Sequence, residues 1–199
     1  MSTGGSALHQ GPGAGALNSV CVFCGSAGGS DARFVESARD TGTLLAQRGL
    51  ALVYGGGHIG MMGALADAAL AGGGRVTGVI PRQLMRPEVA HLGLTELIVV
   101  DSMHQRKRLM ADRADAFLVL PGGYGTMDET FEMVTWLQLG LQSKPVVLIN
   151  VAGFFDPLLR WIRHAVDCDF VRPAHAQLLR PEPTPQAALE RLQAASNAA

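Results

Sequence analysis

Short aliphatic runs alternate with amphipathic stretches of helical length along most of the chain. The aliphatic runs predict strands at 19–24, 50–54, 76–80, 97–100, 116–120 and 146–150, with a short last strand near 178–180. The stretches between them predict helices over about 31–48, 59–72, 103–114, 127–141 and 155–167, and a final helix near 186–195. The runs are continuously apolar, which indicates strands buried on both faces. The pattern therefore predicts one doubly wound α/β domain with a mainly parallel sheet flanked by helices.

The ends of the chain differ from this regular middle. Residues 1–17 are rich in Gly, Ser and Ala without periodicity, so we expect a flexible leader there and a single domain over 18–195. In such a domain the ligand crevice lies at the carboxyl ends of the strands. We therefore expect the functional residues in the loops that follow the strands.

Composition excludes several classes of protein. The 199 residues are 48% hydrophobic and 17% charged with a net charge of −1, which argues against a disordered chain and against an electrostatic nucleic-acid binder. No uncharged apolar run reaches the roughly 18 residues of a membrane span, and we expect no signal peptide. Three cysteines cannot form a disulfide framework, so a reducing, cytoplasmic location is expected.

The first glycine-rich loop follows the second strand and contains Gly55, Gly56, Gly57 and Gly60. It fits G-x-G-x-x-G between a strand and a helix, where backbone N–H groups can receive a phosphate. A dinucleotide site also needs an acid near the end of the next strand, but that strand ends with Pro81 and Arg82. A tight turn with close helix–sheet packing is the alternative, and NAD is not expected.

The second glycine-rich loop follows the fifth strand and reads P-G-G-Y-G-T-M-D-E over 121–129. Its glycines, a hydroxyl and the N–H groups of a helix N-terminus suit one phosphate monoester. The loop lacks Gly-Lys-Ser/Thr, so it is not a triphosphate P-loop. Glu129 has two interpretations. Thr126 and Glu129 have the spacing of a capping box, whereas a carboxylate one helical turn from a phosphate would also serve catalysis.

A third segment opens the helix after the fourth strand. Ser102 and Gln105 have capping-box spacing, and the cations Arg106, Lys107 and Arg108 follow. Adjacent helical residues diverge by about 100°. We therefore expect one cation to face the crevice while its neighbours meet solvent or another subunit.

The cysteines and histidines do not have the spacing and the position in the chain that are typical of a metal site or a redox motif. Cys21 and Cys24 lie within the first strand and at its exit, without a second C-x-x-C, so we expect buried small residues. The histidines have no metal-ligand spacing. No metal site is predicted.

Taken together, these motifs resemble the LOG family of cytokinin-activating nucleotide phosphoribohydrolases, whose members are often labelled "lysine decarboxylase-like". The P-G-G-x-G-T-x-x-E signature is matched over 121–129, G-G-G-x-x-G-x-M-G over 55–63, and M-x-x-R-K-x-x-M over 103–110. The resemblance runs from about 21 to 179. It implies a Rossmann-like fold without a cofactor. The implied activity is hydrolysis of the N-glycosidic bond of N6-modified adenosine 5′-monophosphates to free base and ribose 5-phosphate.

The resemblance also implies roles for individual residues. Arg106 and Glu129 match the catalytic pair. Positions matching the substrate-binding set are Glu88, Lys107, Gly122, Gly123, Tyr124, Gly125, Thr126, Met127, Asp128 and Thr135, with Gly55, Gly56, Gly57 and Gly60 as the other loop. An ionised Glu129 would stabilise a ribosyl cation and activate water, whereas Arg106 stays protonated and cannot be a base.

Three alternative functions are open at this point. A pyridoxal phosphate decarboxylase needs a Schiff-base lysine, and the chain has only Lys107, within a cation cluster, and Lys144, before a proline. A non-enzymatic ligand carrier, similar to the molybdenum cofactor carriers, would need the glycine cradle but not the carboxylate. A general nucleotide 5′-monophosphate nucleosidase would share every motif.

The family is generally dimeric with sites near the interface. The resemblance therefore implies at least a homodimer, in which Arg108 or Arg113 could reach a neighbouring site. The apolar circumference predicted for helix 127–141 agrees with burial in a core or against another subunit.

Overall fold

A computed structural model describes residues 16–198 of the chain. Within that range seven strands form one sheet: β1 Ser19–Phe23, β2 Ala51–Tyr54, β3 Val76–Pro81, β4 Glu96–Val100, β5 Ala116–Val119, β6 Val146–Ile149 and β7 Leu179–Glu182. The helices described there are α1 Ala32–Gln47, α2 Gly60–Ala71, α3 Met103–Asp112, α4 Tyr124–Gln138, α5 Asp156–Asp167 and α6 Pro185–Ala198, with 3-10 turns at Arg82–Leu84, Val151–Gly153 and His175–Gln177.

The strand order is β4-β3-β2-β1-β5-β6-β7, and every neighbouring pair is parallel. The chain builds outward from β1 to β4 and then returns to place β5 on the other side of β1. The loops after β1 and β5 therefore leave the sheet toward opposite faces and open a crevice between them. The doubly wound α/β prediction is confirmed.

Alternation along the strands creates two cores, one on each face. In β1, Val20 and Val22 pack with α1, α2 and α6, whereas Cys21 and Phe23 pack with α3, α4 and α5. All four side chains are buried. The continuous apolar run in the sequence is the result of this burial on both faces.

The predicted burial is wrong for the strand at 97–100. β4 is the edge of the sheet, and Glu96 and Val99 are exposed there because no further strand or helix covers them. The other elements form within a few residues of the predicted bounds, with one informative exception in α4.

The predicted leader 1–17 falls mostly outside the described residues. Leu17 is described, and it packs partly buried against the core formed by α1, α2 and α6. The domain boundaries 18–195 stay a prediction. None of the helices between residues 16 and 198 combines the length and apolarity that crossing a bilayer requires.

Candidate active site

A cavity of about 200 Å³ lies where the strand order reverses. Its walls come from the end of β1 and its exit, from the loop after β2, and from α2, α3 and the start of α4. The lining residues are Val22, Phe23, Cys24, Gly25, Ser26, Gly55, Met62, Arg106, Gly123, Tyr124, Gly125, Thr126 and Glu129. The second glycine-rich loop and the candidate catalytic pair are thus brought together.

Helix α4 presents its N-terminus to this cavity. The helix begins at Tyr124, with Gly123 at the N-cap and no side-chain cap. The predicted start at 127 and the capping box between Thr126 and Glu129 are therefore wrong. Because N–H groups in the first turn of a helix have no intrahelical partner, this end offers donors and the positive end of the helix dipole to an anion.

Glu129 is held by Arg106 instead of by the helix start. Arg106 Nη1 lies 2.9 Å from Glu129 Oε1, and both side chains are about nine-tenths buried, at 11% and 8% exposed. Arg106 Nε donates a hydrogen bond of 3.0 Å to the carbonyl oxygen of Val79 at the end of β3. Glu129 Oε1 is fully buried and faces the Arg106 guanidinium, while the Glu129 side chain as a whole contributes to the cavity wall.

The electrostatic state of Glu129 follows from these contacts. Burial raises the pKa of Glu129 above its ordinary value, and the Arg106 guanidinium opposes that rise. Asp128 and Glu132 raise this pKa further, while Lys107 lowers it. Burial therefore disfavours the ionised form of this carboxyl, and Arg106 is the group that most strongly favours it.

The first glycine-rich loop touches the cavity through Gly55 alone. A Cβ on Gly55 would lie 2.1 Å from Arg106 Nη2, so the guanidinium occupies the space that a side chain would fill. Gly56 and Gly60 have positive φ values of 77° and 60° and pack against the protein itself. Gly57 makes an isolated bridge with Ala90.

Cys24 lines the cavity, whereas Cys21 is buried in the core under α3, α4 and α5. Cys21 and Cys24 are buried free thiols, as expected, and Cys168 is exposed. Burial raises the pKa of both Cys21 and Cys24, and the nearby Glu129 charge raises them further. Both thiols are therefore neutral at physiological pH and act as small apolar groups.

The three adjacent cations of α3 diverge, and one of them faces the cavity as predicted, but Lys107 does not meet solvent because its side chain is only 15% exposed. Arg106 is buried toward the cavity, whereas Lys107 Nζ lies 3.0 Å from both Asp128 Oδ2 and Glu132 Oε2. Arg108 pairs with Asp112 on its own helix. Ser102 caps α3 by accepting from Gln105 N.

Several residues of the predicted substrate-binding set lie outside the cavity. Glu88 is exposed in the segment after β3, and Thr135 is exposed on α4. Asp128 faces outward toward Lys107, and Met127 packs partly buried in the core under α3, α4 and α5. Tyr124, in contrast, lines the cavity at its rim, where 98% of its surface is exposed.

The loop after β1 was missed by the sequence analysis. Gly25 N donates to the carbonyl oxygen of Pro121, which joins the β1 exit to the second glycine-rich loop. Ser26 and Cys24 complete this wall. This wall could have been predicted from the sequence, because in a doubly wound sheet the first strand borders the point where the strand order reverses.

A larger cavity of about 740 Å³ lies elsewhere, beside Pro145 and Val146 at the amino end of β6 and against α6. Its Arg191 is paired with Glu182. This cavity is at the end of β6 opposite to that expected for a ligand crevice. In the part of the chain that the structure describes, no group of three or more His, Cys, Asp or Glu side chains could hold a metal ion.

The chain is similar to known proteins over most of its length. Residues 62–192 match a family model described as "Possible lysine decarboxylase". A cytokinin riboside 5′-monophosphate phosphoribohydrolase of Rhodococcoides fascians is 52% identical over 157 residues, covering 78% of this chain and 79% of the relative. One of Arabidopsis thaliana is 43% identical over 174 residues, covering 87% of this chain and 82% of the relative.

Among solved structures, the Moco carrier protein of Chlamydomonas reinhardtii superposes with a TM-score of 0.68 at 19% identity, covering 92% of this chain and 99% of that one. At this identity the likeness extends to the Rossmann-like fold alone.

Proposed function

Because this chain belongs to the LOG family of cytokinin riboside 5′-monophosphate phosphoribohydrolases, we propose that it hydrolyses the N-glycosidic bond of N6-modified adenosine 5′-monophosphates. The products are the free base and ribose 5-phosphate. The observation that carries this proposal is the buried Arg106–Glu129 pair beside the uncapped N-terminus of α4. The pair and the helix end face one cavity.

The helix end binds the 5′-phosphate in this proposal. Gly123, Tyr124, Gly125 and Thr126 line the cavity in the first turn of α4. A Cβ on Gly123 or Gly125 would meet no atom within 4 Å, so the space beside these glycines is open to a ligand. A phosphate monoester there receives backbone N–H groups and the positive end of the helix dipole.

Glu129 and Arg106 act on the ribose. The bond between C1′ and the purine nitrogen breaks, its electron pair leaves with the purine, and the ribose passes through an oxocarbenium-like state. Ionised Glu129 stabilises that positive charge and takes a proton from the water that attacks C1′. That proton then passes by way of solvent to the departing purine anion, which leaves as the neutral free base while Glu129 becomes ionised again. Arg106 remains protonated, keeps Glu129 ionised and orients it through the Val79 contact.

The size of the cavity supports a site shared between subunits. Its volume of about 200 Å³ accommodates the sugar phosphate, whereas sites for complete small-molecule ligands typically measure roughly 300–1,000 Å³. The base would therefore lie at the rim, near the exposed Tyr124. A second subunit at this rim would cover the base.

We infer a homodimer from this requirement and from the apolar surface of α4 and α5. Phe131 and Trp161 are exposed and form an edge-to-face ring contact of 5.9 Å, and Leu139 is exposed at the end of α4. Exposed apolar patches of this kind mark interaction sites. Sedimentation equilibrium tests the stoichiometry, and a monomer at micromolar concentration would contradict it. The free thiols support a cytoplasmic location.

The lysines do not fit a decarboxylase that uses pyridoxal phosphate. Lys107 is paired with two carboxylates, and Lys144 Nζ donates to the carbonyl oxygen of Ala111 at 2.7 Å. Neither lysine lines the cavity. A carrier needs no buried carboxylate against its ligand, so the Arg106–Glu129 pair favours an enzyme.

A product assay tests the proposal. Isopentenyladenosine 5′-monophosphate, AMP and unphosphorylated isopentenyladenosine are each incubated with the protein, and free base is measured by chromatography. We expect base from the modified monophosphate, less from AMP, and none from the riboside because it lacks the phosphate anchor. Preference for AMP or other ordinary nucleotides would identify a general nucleosidase, and activity on the riboside would contradict phosphate anchoring.

A further inference from the structure

The charged residues of α3 and α4 meet in two separate groups. Arg106 reaches Glu129 inside the cavity, and Lys107, the next residue, reaches Asp128 and Glu132 on the outer side of α4. The two groups lie side by side because Asp128 and Glu132 share a helical face next to that of Glu129. Glu132 is absent from every motif of the family resemblance.

Lys107 is nearly as enclosed as the catalytic pair. Its side chain is 15% exposed, that of Glu132 is 19% exposed, and Nζ lies 3.0 Å from each carboxylate. Burial lowers the pKa of Lys107, but its pairing with Glu132 and Asp128 outweighs that effect and leaves the pKa above the ordinary value. The Lys107 ammonium group therefore contacts Asp128 and Glu132, and Lys107 does not line the cavity.

Within residues 16–198, the titratable groups that interact with the Glu129 charge come from α3, from α4, and from β1 with its exit. Arg106 and Lys107 come from α3, Asp128 and Glu132 come from α4, and the neutral thiols Cys21 and Cys24 come from β1 and its exit. Three carboxylates thus face two cations. Without Lys107, two uncompensated carboxylates would stand beside Glu129, and like charges at such distances disfavour ionisation.

We propose that Lys107 and Glu132 are positioning residues, in which Lys107 neutralises Asp128 and Glu132 so that Arg106 alone balances Glu129 and keeps it charged toward the cavity. This inference rests on the proposed function. It assigns Lys107 to charge balance, whereas the family resemblance implies direct nucleotide binding. The two roles predict different kinetics.

The first experiment compares charge deletion with charge compensation. The variant K107M is paired with the triple variant K107M/D128N/E132Q, in which the two carboxylates are removed together with their counter-ion. For K107M we expect kcat/KM at pH 6 to fall about tenfold, with the acid limb of the profile moved to higher pH and KM changed less than about twofold. The triple variant should recover to within about threefold of wild type.

Direct substrate contact predicts the opposite outcome. If Lys107 binds the nucleotide, KM of K107M rises about tenfold or more and the triple variant recovers nothing, because a hydrogen bond and a charge to the substrate stay absent. The variant K107R keeps the charge and should retain the wild-type acid limb. Circular dichroism melting verifies that each variant is folded.

A second measurement does not depend on turnover. The ¹³C-carboxyl resonance of Glu129, assigned by its absence in E129Q, is titrated in wild type and K107M. We expect its midpoint at higher pH in K107M, and an unchanged midpoint would overturn the inference. A shifted midpoint in a protein that hydrolyses no nucleotide would instead support the charge balance and refute the proposed function.

Discussion

The two glycine-rich loops have nearly the same appearance in the sequence but different roles in the structure. At the end of the first loop, a Cβ on Gly60 would lie 2.3 Å from the Ser26 carbonyl oxygen, and one on Gly63, in the first turn of α2, would lie 1.9 Å from the His58 carbonyl oxygen. In the second loop, a Cβ on Gly123 or Gly125 meets nothing within 4 Å. Gly122, earlier in the second loop, resembles the first loop, since a Cβ there would lie 2.1 Å from Thr126 Oγ1. The protein thus fills the space beside Gly60, Gly63 and Gly122, whereas the space beside Gly123 and Gly125 is open to a ligand.

The largest expected effect on activity comes from substitutions in the pair that Arg106 forms with Glu129 of α4, the helix that follows the second loop. Glu129→Gln should lower kcat at least about 10³-fold because the charge that stabilises the ribosyl cation is lost. Arg106→Ala should also abolish turnover. Burial raises the pKa of Glu129, which means that the ionised carboxylate is less stable in the folded protein than in the unfolded chain. Replacing it with a neutral amide therefore does not lower the free energy of unfolding through loss of this charge.

The melting temperature of Glu129→Gln should therefore stay within about 3 °C of wild type. The matched control is Glu36→Gln, an exposed glutamate of α1, which should retain full activity. Near wild-type turnover by Glu129→Gln would show that Glu129 is not needed for the reaction.

Gly55 is the position where the first loop serves the site. Gly55→Ala would displace Arg106 Nη2, which is the mobile end of a side chain, so we expect a small loss of stability but a fall in kcat of about 10²-fold. Steady-state kinetics and thermal melting are measured together. Unchanged kcat would mean that the Arg106 position tolerates displacement.

Gly63→Ala tests the packing role of the first loop. The new methyl group would clash with backbone, and we expect a loss of about 2 kcal/mol of unfolding free energy, measured by urea denaturation. The remaining folded protein should keep a normal KM. An unchanged free energy of unfolding would show that α2 can move away from His58 in the first loop without loss of stability.

Gly125→Ala makes the same chemical change in the second loop. Because Gly125 is the second residue of α4, alanine there should raise stability by about 0.5–1 kcal/mol. Its methyl group enters the space proposed for phosphate, and KM should rise about tenfold. A variant with unchanged KM would contradict phosphate binding at this end of α4.

The smallest effect is the pH dependence of the unmodified enzyme. Activity in the proposed mechanism needs ionised Glu129, whose pKa burial raises. As the pH falls, kcat/KM should decline at a pH above that at which an exposed glutamate titrates. A decline only in the range of ordinary glutamates would indicate that Arg106 fully offsets the burial of Glu129.

The fold was predictable because apolar periodicity reports burial on both faces of a parallel sheet. Six of the predicted strands form within a few residues of their expected bounds among the described residues, as does the short strand near 178–180. The edge position of β4 was not predictable, because Leu97, Ile98 and Val99 are as apolar as an internal strand. Strand order depends on long-range pairing that local patterns do not contain.

The site was predictable in its residue types and less so in its geometry. The capping-box pattern at Thr126 and Glu129 is a local signal, and the buried Arg106 contact overrides it. The partners of Lys107 could not be inferred, since they depend on how α3 lies against α4. The wall from Gly25 and Ser26 has no motif of its own.

The different surroundings of the cysteines have a practical consequence. Cys21 and Cys24 are buried neutral thiols, whereas Cys168 ends α5, the helix that carries Trp161. At neutral pH a maleimide dye should therefore attach to Cys168 alone, in native protein without engineered replacements. Energy transfer between dyes on two such molecules would report subunit association as it happens, leaving the nucleotide crevice unlabelled.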